Sequence, residues 1–206
     1  MSARMRTFGR FSGVVLTFAA GVLGIALLYG GAKPASAEPQ KKQKVKLAKA
    51  GVAAYFSPNG GAENALMEAI DSAQQELLVG VYLFTSRKLT NAVKRAHGRN
   101  VQTRVLIDHS GARIRFSGDK ELTRVGIPVR VMRLGKTDDK QPIKYHQKYA
   151  VIDRRVVVTG SHNWTKQADT HNHENIVIVV SKEIAESYRQ QFEAAWELGE
   201  EKDEDD

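Results

Sequence analysis

Five polar residues in the second half of the sequence have types and a spacing suited to phosphate chemistry. His146 and Lys148 lie in "KYHQKYAVI", Ser161 and Asn163 lie in "GSHN", and Glu174 follows. Side chains alternate along a strand, so His146 and Lys148 are predicted to share one face. Lysine, serine and asparagine can donate hydrogen bonds to phosphate oxygens, and histidine can attack as a nucleophile or move protons near neutral pH. This set predicts a phosphoryl-transfer site that needs no metal.

A zinc site is the alternative for the neighbouring histidines. The stretch "HNHEN" offers His171, His173 and Glu174 close together, and His162 precedes it. Two imidazoles and a carboxylate are ligands that zinc accepts. The sequence contains no H-E-x-x-H, however, and the ammonium of Lys148 suits phosphate rather than a metal ion. We therefore expect no metal and no cofactor.

The elements that must position these residues follow an α/β pattern. Between residues 51 and 132 apolar strand segments alternate with segments of helical spacing. "KYHQKYAVI" and "VVVTG" are then joined by a three-residue turn, "ENIVIVV" adds a strand, and Ser181 begins an amphipathic helix. We predict one α/β domain with a mixed, largely parallel sheet flanked by helices on both faces. If the last three strands are neighbours, the five polar residues converge.

The N-terminal segment predicts export. "MSARMRTFGR" carries three arginines and no acid, an apolar run extends from Val14 to Gly31, and the triplet Ala35-Ser36-Ala37 follows. These are the features of a signal peptide, so residues 1–37 are expected to be cleaved near Ala37, which gives a periplasmic or secreted protein. The run is nearly long enough to span a bilayer, and retention of residues 14–31 as a membrane anchor is the alternative.

Composition divides the rest of the chain. Residues 38–50 are lysine-rich without apolar periodicity and predict a basic linker, residues 51–198 form the catalytic domain, and residues 199–206 predict a disordered acidic tail. Residues 38–199 contain 26 basic and 17 acidic side chains, a net charge of +9. Such a surface attracts polyanions, nucleic acid or anionic lipid headgroups, although ordinary solubility charge has the same appearance. The absence of cysteine excludes disulfides and thiolate catalysis.

The motif resembles that of a known family. His146-x-Lys148-x4-Asp153-x6-Gly160-Ser161, with Asn163 two residues on, is similar to the HKD motif of the phospholipase D superfamily. A single copy in a short chain with an export signal looks most like the small bacterial Nuc-type endonucleases, and the mitochondrial single-motif enzymes are relatives of these. The likeness extends over residues 51–198.

The resemblance implies a role for each matching residue. His146 would attack phosphorus to form a covalent phosphohistidine, and Glu174 would orient it. Lys148 and Asn163 would bind the phosphate oxygens with help from Ser161. Asp153 counts with His146, Lys148 and Glu174 among the catalytic residues of the motif, although its position in the hairpin turn favours a supporting role.

The resemblance also implies a dimer. The family uses the histidine of a second motif to protonate the leaving oxygen, and this sequence contains no second H-x-K-x4-D. The segment around His109 does not fit the pattern. A two-fold homodimer would bring two copies of the His146 motif face to face.

Two enzymatic functions and one binding function are compatible with these features. The first is a phosphodiesterase that acts on nucleic acid, a non-specific endonuclease on DNA with RNA left open. The alternative is a phospholipase D-type hydrolase of phospholipid headgroup esters, such as those of phosphatidylcholine or a cardiolipin-like lipid. A nucleic-acid-binding protein without activity is disfavoured because the His, Lys, Asn and Glu set is intact.

Overall fold

A computed structural model describes residues 45–47 and 51–202 of the chain. Every described residue belongs to one compact unit, which lies within Pro39–Asp206. The signal peptide or anchor predicted for residues 1–37 therefore lies outside the described residues. Within the described ranges no helix is both long enough and apolar enough to cross a bilayer.

Nine strands and six helices follow one another in the described part of the chain. The strands are β1 (Val45–Leu47), β2 (Val52–Ser57), β3 (Glu76–Val81), β4 (Gln102–Asp108), β5 (Val129–Met132), β6 (Lys148–Ile152), β7 (Val156–Gly160), β8 (Glu174–Val180) and β9 (Glu200–Glu201). The helices are α1 (Ala62–Asp71), α2 (Arg87–Gly98), α3 (His109–Ala112), α4 (Asp119–Arg124), α5 (Lys166–Thr170) and α6 (Lys182–Trp196).

All nine strands join one mixed sheet in the order β1-β2-β8-β7-β6-β3-β4-β5-β9. The predicted α/β fold with a mixed sheet is confirmed. Its parallel part is confined to β3, β4 and β5, where α2 and α4 provide the crossovers that parallel neighbours require. The other neighbours pair antiparallel, since the tight turn after β6 returns the chain directly and β6 then pairs antiparallel with β3. The sheet is thus less parallel than the strand-helix alternation predicted.

An apolar layer covers each face of the sheet. Alternate residues of β3 divide between the faces: Leu77 and Val79 pack with α1, α2 and α4, whereas Leu78 packs with α6. In α6, Phe192 and Trp196 are buried as the predicted apolar stripe requires, and the Ser181 hydroxyl accepts a hydrogen bond from the Ile184 N–H as the expected cap. Ile184 itself remains 42 % exposed, because Ala185 occupies the buried position of the first turn.

The two ends of the sheet differ from the sequence prediction. Val45–Leu47, inside the predicted linker, pair antiparallel with β2, and Glu200–Glu201, inside the predicted disordered tail, pair antiparallel with β5. Arg133 Nε lies 2.6 Å from the Glu200 carboxylate, so the start of the acidic tail forms an ion pair at the edge of the sheet. Residues 203–206 lie outside the described residues.

Strand ends bring the predicted residues to one edge of the sheet. β6 begins at Lys148, β7 ends at Gly160 and β8 begins at Glu174, and these strands are antiparallel neighbours. Gly160 permits this close pairing: a Cβ there would lie 2.1 Å from the carbonyl oxygen of Asn175, well inside van der Waals contact. The neighbouring strand β3 ends at the same edge, where Val81 pairs with Lys148.

Candidate active site

His146 and Lys148 are neighbours, although they do not share a strand. The strand predicted from Lys144 begins only at Lys148, because the segment before it bonds elsewhere: the Tyr145 N–H donates to Asp108 Oδ2 at 2.8 Å, and the Gln147 carbonyl accepts from the Tyr82 N–H at 2.7 Å. Lys148 Nζ nevertheless lies 3.1 Å from His146 Nδ1 and donates to the His146 carbonyl at 3.0 Å. His146 and Lys148 are therefore close, as predicted, but His146 lies in the irregular segment before β6 and not in the strand.

The two side chains differ in exposure. His146 is exposed, whereas only 9 % of Lys148 is accessible. Partial burial, followed by the positive charges of Lys148 and Lys144, lowers the pKa of His146, while the Asp108 carboxylate opposes this. Burial lowers the pKa of Lys148 too, and the charge of Glu174 acts in the opposite direction. An imidazole whose pKa is lowered is neutral at neutral pH and can act as a nucleophile.

The remaining predicted residues line the same edge. The Ser161 hydroxyl accepts a hydrogen bond from the Asn175 N–H at 3.2 Å, and Asn163 Oδ1 is buried without a hydrogen-bond partner in residues 51–202. Glu174 Oε1 accepts from the Asn172 amide at 3.2 Å. No hydrogen bond of the described residues joins Glu174 to His146, so the orienting contact expected between them does not occur within this chain, and the influence of Glu174 reaches Lys148 through its charge.

Asp153 lies at the other end of β6 and is not part of this site. Its carboxylate accepts hydrogen bonds from the backbone N–H groups of residues 74, 75 and 76 at 2.7 to 3.2 Å. Its backbone has a φ of 50°, a left-handed conformation that Asp tolerates better than most residues. In this position Asp153 ties the hairpin turn to the start of β3, and its inclusion among the catalytic residues of the motif stays a prediction that no contact with the other site residues supports.

Replacing Asp153 by alanine is expected to lower the free energy of unfolding by about 1–3 kcal/mol, because three backbone N–H groups, two of them in exposed residues and that of Glu76 half-buried, lose a charged acceptor. The midpoint of urea unfolding measures this loss. Asp153→Asn keeps one acceptor oxygen and the tolerance of positive φ, so it should lose less. A large fall in kcat with an unchanged urea midpoint would return Asp153 to the catalytic set.

The sequence alone did not reveal two further residues at this edge. The ring of Tyr82 lies 4.5 Å from the imidazole of His146, and its hydroxyl accepts from Lys144 Nζ at 2.8 Å. Asp108, which is 2 % exposed, fixes the backbone of Tyr145. Tyr82 follows β3 and Asp108 is the last residue of β4, so both lie at the carboxyl end of a buried parallel strand, the edge where α/β sheets carry their sites, and that position was the available signal.

The histidines considered as zinc ligands do not form a cluster. His162 is 1 % exposed and neither ring nitrogen has a hydrogen-bond partner among the described residues; burial lowers its pKa, against the charges of Asp169 and Glu174. His171 and His173 are exposed. Across residues 45–47 and 51–202 no three His, Asp or Glu side chains are grouped as metal ligands. These histidines therefore give no geometric support to the zinc alternative.

Several known proteins resemble this chain in sequence and in fold. A family model described as "Cardiolipin synthase, PLD-like domain" matches residues 66–196. Phospholipase D of Rickettsia felis is 33 % identical over 185 residues, which cover 83 % of this chain and 89 % of the relative. Mitochondrial cardiolipin hydrolase of Homo sapiens is 35 % identical over 141 residues, 68 % of this chain and 53 % of the relative. Nuc from Salmonella typhimurium, a phospholipase D family member of known structure, aligns with a TM-score of 0.66 and 30 % identity over 73 % of this chain and 97 % of that one.

The matched region contains the whole candidate site. It extends from within α1 to the end of α6 and so includes His146, Lys148, Asn163 and Glu174, which lie on β6 and β8 or on the segments next to β6 and β7. An exposed imidazole beside a buried ammonium is an arrangement suited to a phosphate ester, with one group to attack phosphorus and one to bind its oxygens. The motif, the sheet and the sequence likeness thus agree, and the chain belongs to the phospholipase D superfamily, of which it is a phosphodiesterase.

Proposed function

We propose that the protein is a nuclease that hydrolyses phosphodiester bonds of DNA, and of RNA as a second substrate, without sequence specificity. The observation that carries this proposal is the exposed imidazole of His146 beside the buried cation Lys148. The net charge of +9 over residues 38–199 favours a polyanionic substrate. The likeness to Nuc over nearly the full length of that chain agrees with the resemblance to Nuc-type endonucleases that the motif indicates.

The proposed reaction has two steps. In the first, a neutral ring nitrogen of His146 attacks phosphorus, a phosphorus–nitrogen bond forms, and the bond from phosphorus to the leaving oxygen breaks. Lys148, with the amide of Asn163 and the hydroxyl of Ser161, stabilises the charge on the phosphate oxygens. In the second, water attacks phosphorus and the phosphorus–nitrogen bond breaks, which releases the phosphate product and restores the imidazole.

The leaving oxygen requires a proton, and we propose that it comes from a second copy of the chain. The His146 imidazolium of the partner subunit would donate this proton in the first step and recover one from water in the second. The sequence supplies a single motif, and the dimer is isologous because each copy offers the same edge to the other. The active site is then shared across a homodimer.

Hydrolysis of a phospholipid headgroup ester is the second candidate. The relatives from Rickettsia felis and Homo sapiens carry the names phospholipase D and mitochondrial cardiolipin hydrolase, and the same histidine chemistry serves either ester. Membrane retention through residues 14–31 would bring the site close to lipid. We propose instead that residues 1–37 are removed near Ala37 and that the enzyme acts in the periplasm or outside the cell.

Plasmid nicking in excess chelator tests the proposal. We expect the full chain to convert supercoiled plasmid to the nicked form, His146→Ala to be inactive, and His97→Ala, a matched histidine replacement in the last turn of α2, to retain activity. Release of headgroup from phosphatidylcholine or cardiolipin vesicles without nicking would move the assignment to the phospholipid candidate. Nicking that chelator abolishes would overturn the phosphohistidine mechanism.

Replacement of Lys144 by alanine is expected to move the pH profile of kcat/KM to higher pH. Its positive charge contributes to lowering the pKa of His146, so its removal raises that pKa. The attacking imidazole must be neutral and the imidazolium donating to the leaving oxygen must be charged, and the two groups are the same residue in equivalent subunits. Both limbs of the profile therefore move to higher pH together. Their apparent pKa values describe the two His146 side chains jointly and not either one alone.

Cleavage of a short single-stranded DNA over a range of pH measures this shift, because its sugar oxygen needs the proton in order to leave. Lys144→Arg keeps the charge and should leave the profile in place. Tyr82→Phe removes the hydroxyl that accepts from Lys144 and separates that contact from the charge effect. A profile that moves equally for the arginine and alanine variants would contradict the electrostatic explanation.

A further inference from the structure

A cavity of about 650 Å³ opens beside the active site and has no part in the chemistry described above. Its walls come from the loop after β3, the start of α2, the loop before α4, α4 itself and α5. Thr85 and Ser86 on its wall donate their backbone N–H groups to the Trp164 carbonyl at 2.8 and 2.9 Å, and Trp164 directly follows Asn163. The cavity therefore adjoins the segment that binds phosphate.

Positive charge predominates in the lining. Six cationic side chains face three carboxylates, and the six are Arg87, Lys88, Arg115, Lys120, Arg124 and Lys166. Two of the carboxylates already have cations: Glu63 lies 2.8 Å from Lys88, and Glu121 lies 3.5 Å from Lys94 outside the lining. Arg87, Arg124 and Lys166 form no ion pair with any residue of 51–202. The cavity thus has positive charge available for an anionic ligand.

The ring of Phe116 lines this cavity and is unusually exposed for a large apolar side chain. Phe116 is 76 % exposed, the largest exposed fraction among the big apolar side chains of the described residues. Its loop is held in place, since the Gly118 N–H donates to the Phe84 carbonyl at 2.7 Å and the Ser117 N–H donates to the Ile114 carbonyl at 3.0 Å. At Gly118 a Cβ would lie 2.4 Å from Thr90 Oγ1, so the loop packs tightly on α2. The ring is presented to solvent by an ordered loop.

The lining favours a nucleotide over an acyl chain. A cavity of this size is within the range of about 300–1,000 Å³ that small-molecule sites occupy. A fatty acyl chain needs apolar walls, whereas Phe116 is the one large apolar side chain among these cations, carboxylates and hydroxyls. A nucleotide has a planar base that stacks on an aromatic ring and phosphates that bind cations. The wall residues match both parts.

We propose that this cavity binds a nucleotide of the substrate strand next to the phosphodiester that is cleaved, with its base against Phe116 and its flanking phosphates near Arg87, Arg124 and Lys166. The proposal rests on the proposed nuclease function and adds a subsite to it. Single-stranded segments fit best, because their bases are free to stack on a side chain. The subsite affects strand binding and leaves the attack by His146 unchanged.

Two substrates of different length separate this subsite from the chemistry. For Phe116→Ala in the full chain we expect KM for a 12-nucleotide single-stranded DNA to rise about 5- to 150-fold, the loss of one base-stacking contact. Hydrolysis of bis(4-nitrophenyl) phosphate, which has no neighbouring nucleotide, should change less than about twofold. Phe116→Trp should retain the low KM. Ile184→Ala removes an exposed apolar side chain from the opposite face and serves as the control.

Salt dependence gives an independent measure. Arg124→Gln should reduce the slope of log KM against log salt concentration by about 0.7 for single-stranded DNA, the value for one lost phosphate contact. An unchanged KM for Phe116→Ala together with an unchanged slope for Arg124→Gln would overturn the subsite while the nuclease function stood. Loss of flotation with phosphatidylcholine–cardiolipin vesicles in the Phe116→Ala variant, at unchanged KM, would assign the ring to a membrane instead. Wild-type protein that cleaves no DNA would refute the nuclease function itself.

Discussion

Replacement of His146 by alanine is expected to lower kcat for plasmid nicking by about 10⁴-fold or more, the scale of loss when an enzyme loses its nucleophile. The imidazole is exposed and its hydrogen-bonding neighbour is Lys148, so its removal should leave the fold intact. Circular dichroism and an unchanged urea midpoint would establish this. His146→Gln keeps the polarity without a nucleophilic nitrogen and should be as inactive as the alanine variant. A loss of less than about tenfold would exclude covalent catalysis by His146.

Mixed subunits extend this test to the dimer. When wild-type and His146→Ala chains are co-expressed in equal amounts, about half of the wild-type subunits pair with an inactive copy. If each reaction needs two His146 side chains, the activity per wild-type subunit falls to about half. It falls further as the proportion of His146→Ala chains increases. Separately tagged subunits allow the mixed dimer to be isolated and assayed. Full activity per wild-type subunit would mean that each chain has a complete site of its own.

Replacement of Lys148 by methionine is expected to lower kcat by about 10²- to 10³-fold, because a preorganised donor to the phosphate oxygens is lost. Methionine has a similar length and no charge, so it fills the buried space of the lysine stem. Removal of a desolvated cation should leave the urea midpoint unchanged or raise it. The variant would then have a much lower kcat without any loss of stability. The pKa of His146 would also rise, since Lys148 contributes to lowering it.

The charge-preserving variant provides the control for this prediction. Lys148→Arg keeps a positive charge, but its planar guanidinium does not reproduce the position of an ammonium 3.1 Å from His146 Nδ1. We expect it to recover only part of the activity. Methionine and arginine variants that both match the wild-type kcat would show that Lys148 has no role in transition-state binding.

Local patterns predicted most of the fold and pointed to side chains that the structure places near one another. The buried strands, the cap at Ser181 and the apolar stripe of α6 follow from periodicity, which depends on neighbouring residues alone. The spacing from His146 to Asn163 identified side chains that the sheet brings to one edge. These features are local in sequence, so a single chain displays them.

The parts that the sequence did not predict depend on distant contacts. Asp153 has a place in a catalytic motif, yet the backbone that it bonds is 77 to 79 residues away. The ring of Tyr82 meets His146 through the pairing of β3 with β6, which no local pattern specifies. The short strand β9 likewise needs β5 as a partner, and its acidic composition favoured disorder.

The proposed reacting residues and the exposed ring of Phe116 come from different parts of the fold. His146, Lys148 and Asn163 lie on β6, β7 and the segments that adjoin them, whereas Phe116, whose side chain points into solvent, comes from the loop before α4. Substitutions in that loop can change what fits beside the reactive phosphate without disturbing the attacking group. On the proposed roles, selection of the phosphodiester and attack on it belong to separate parts of the chain, so a variant at Phe116 should change substrate preference while His146 and Lys148 keep their positions.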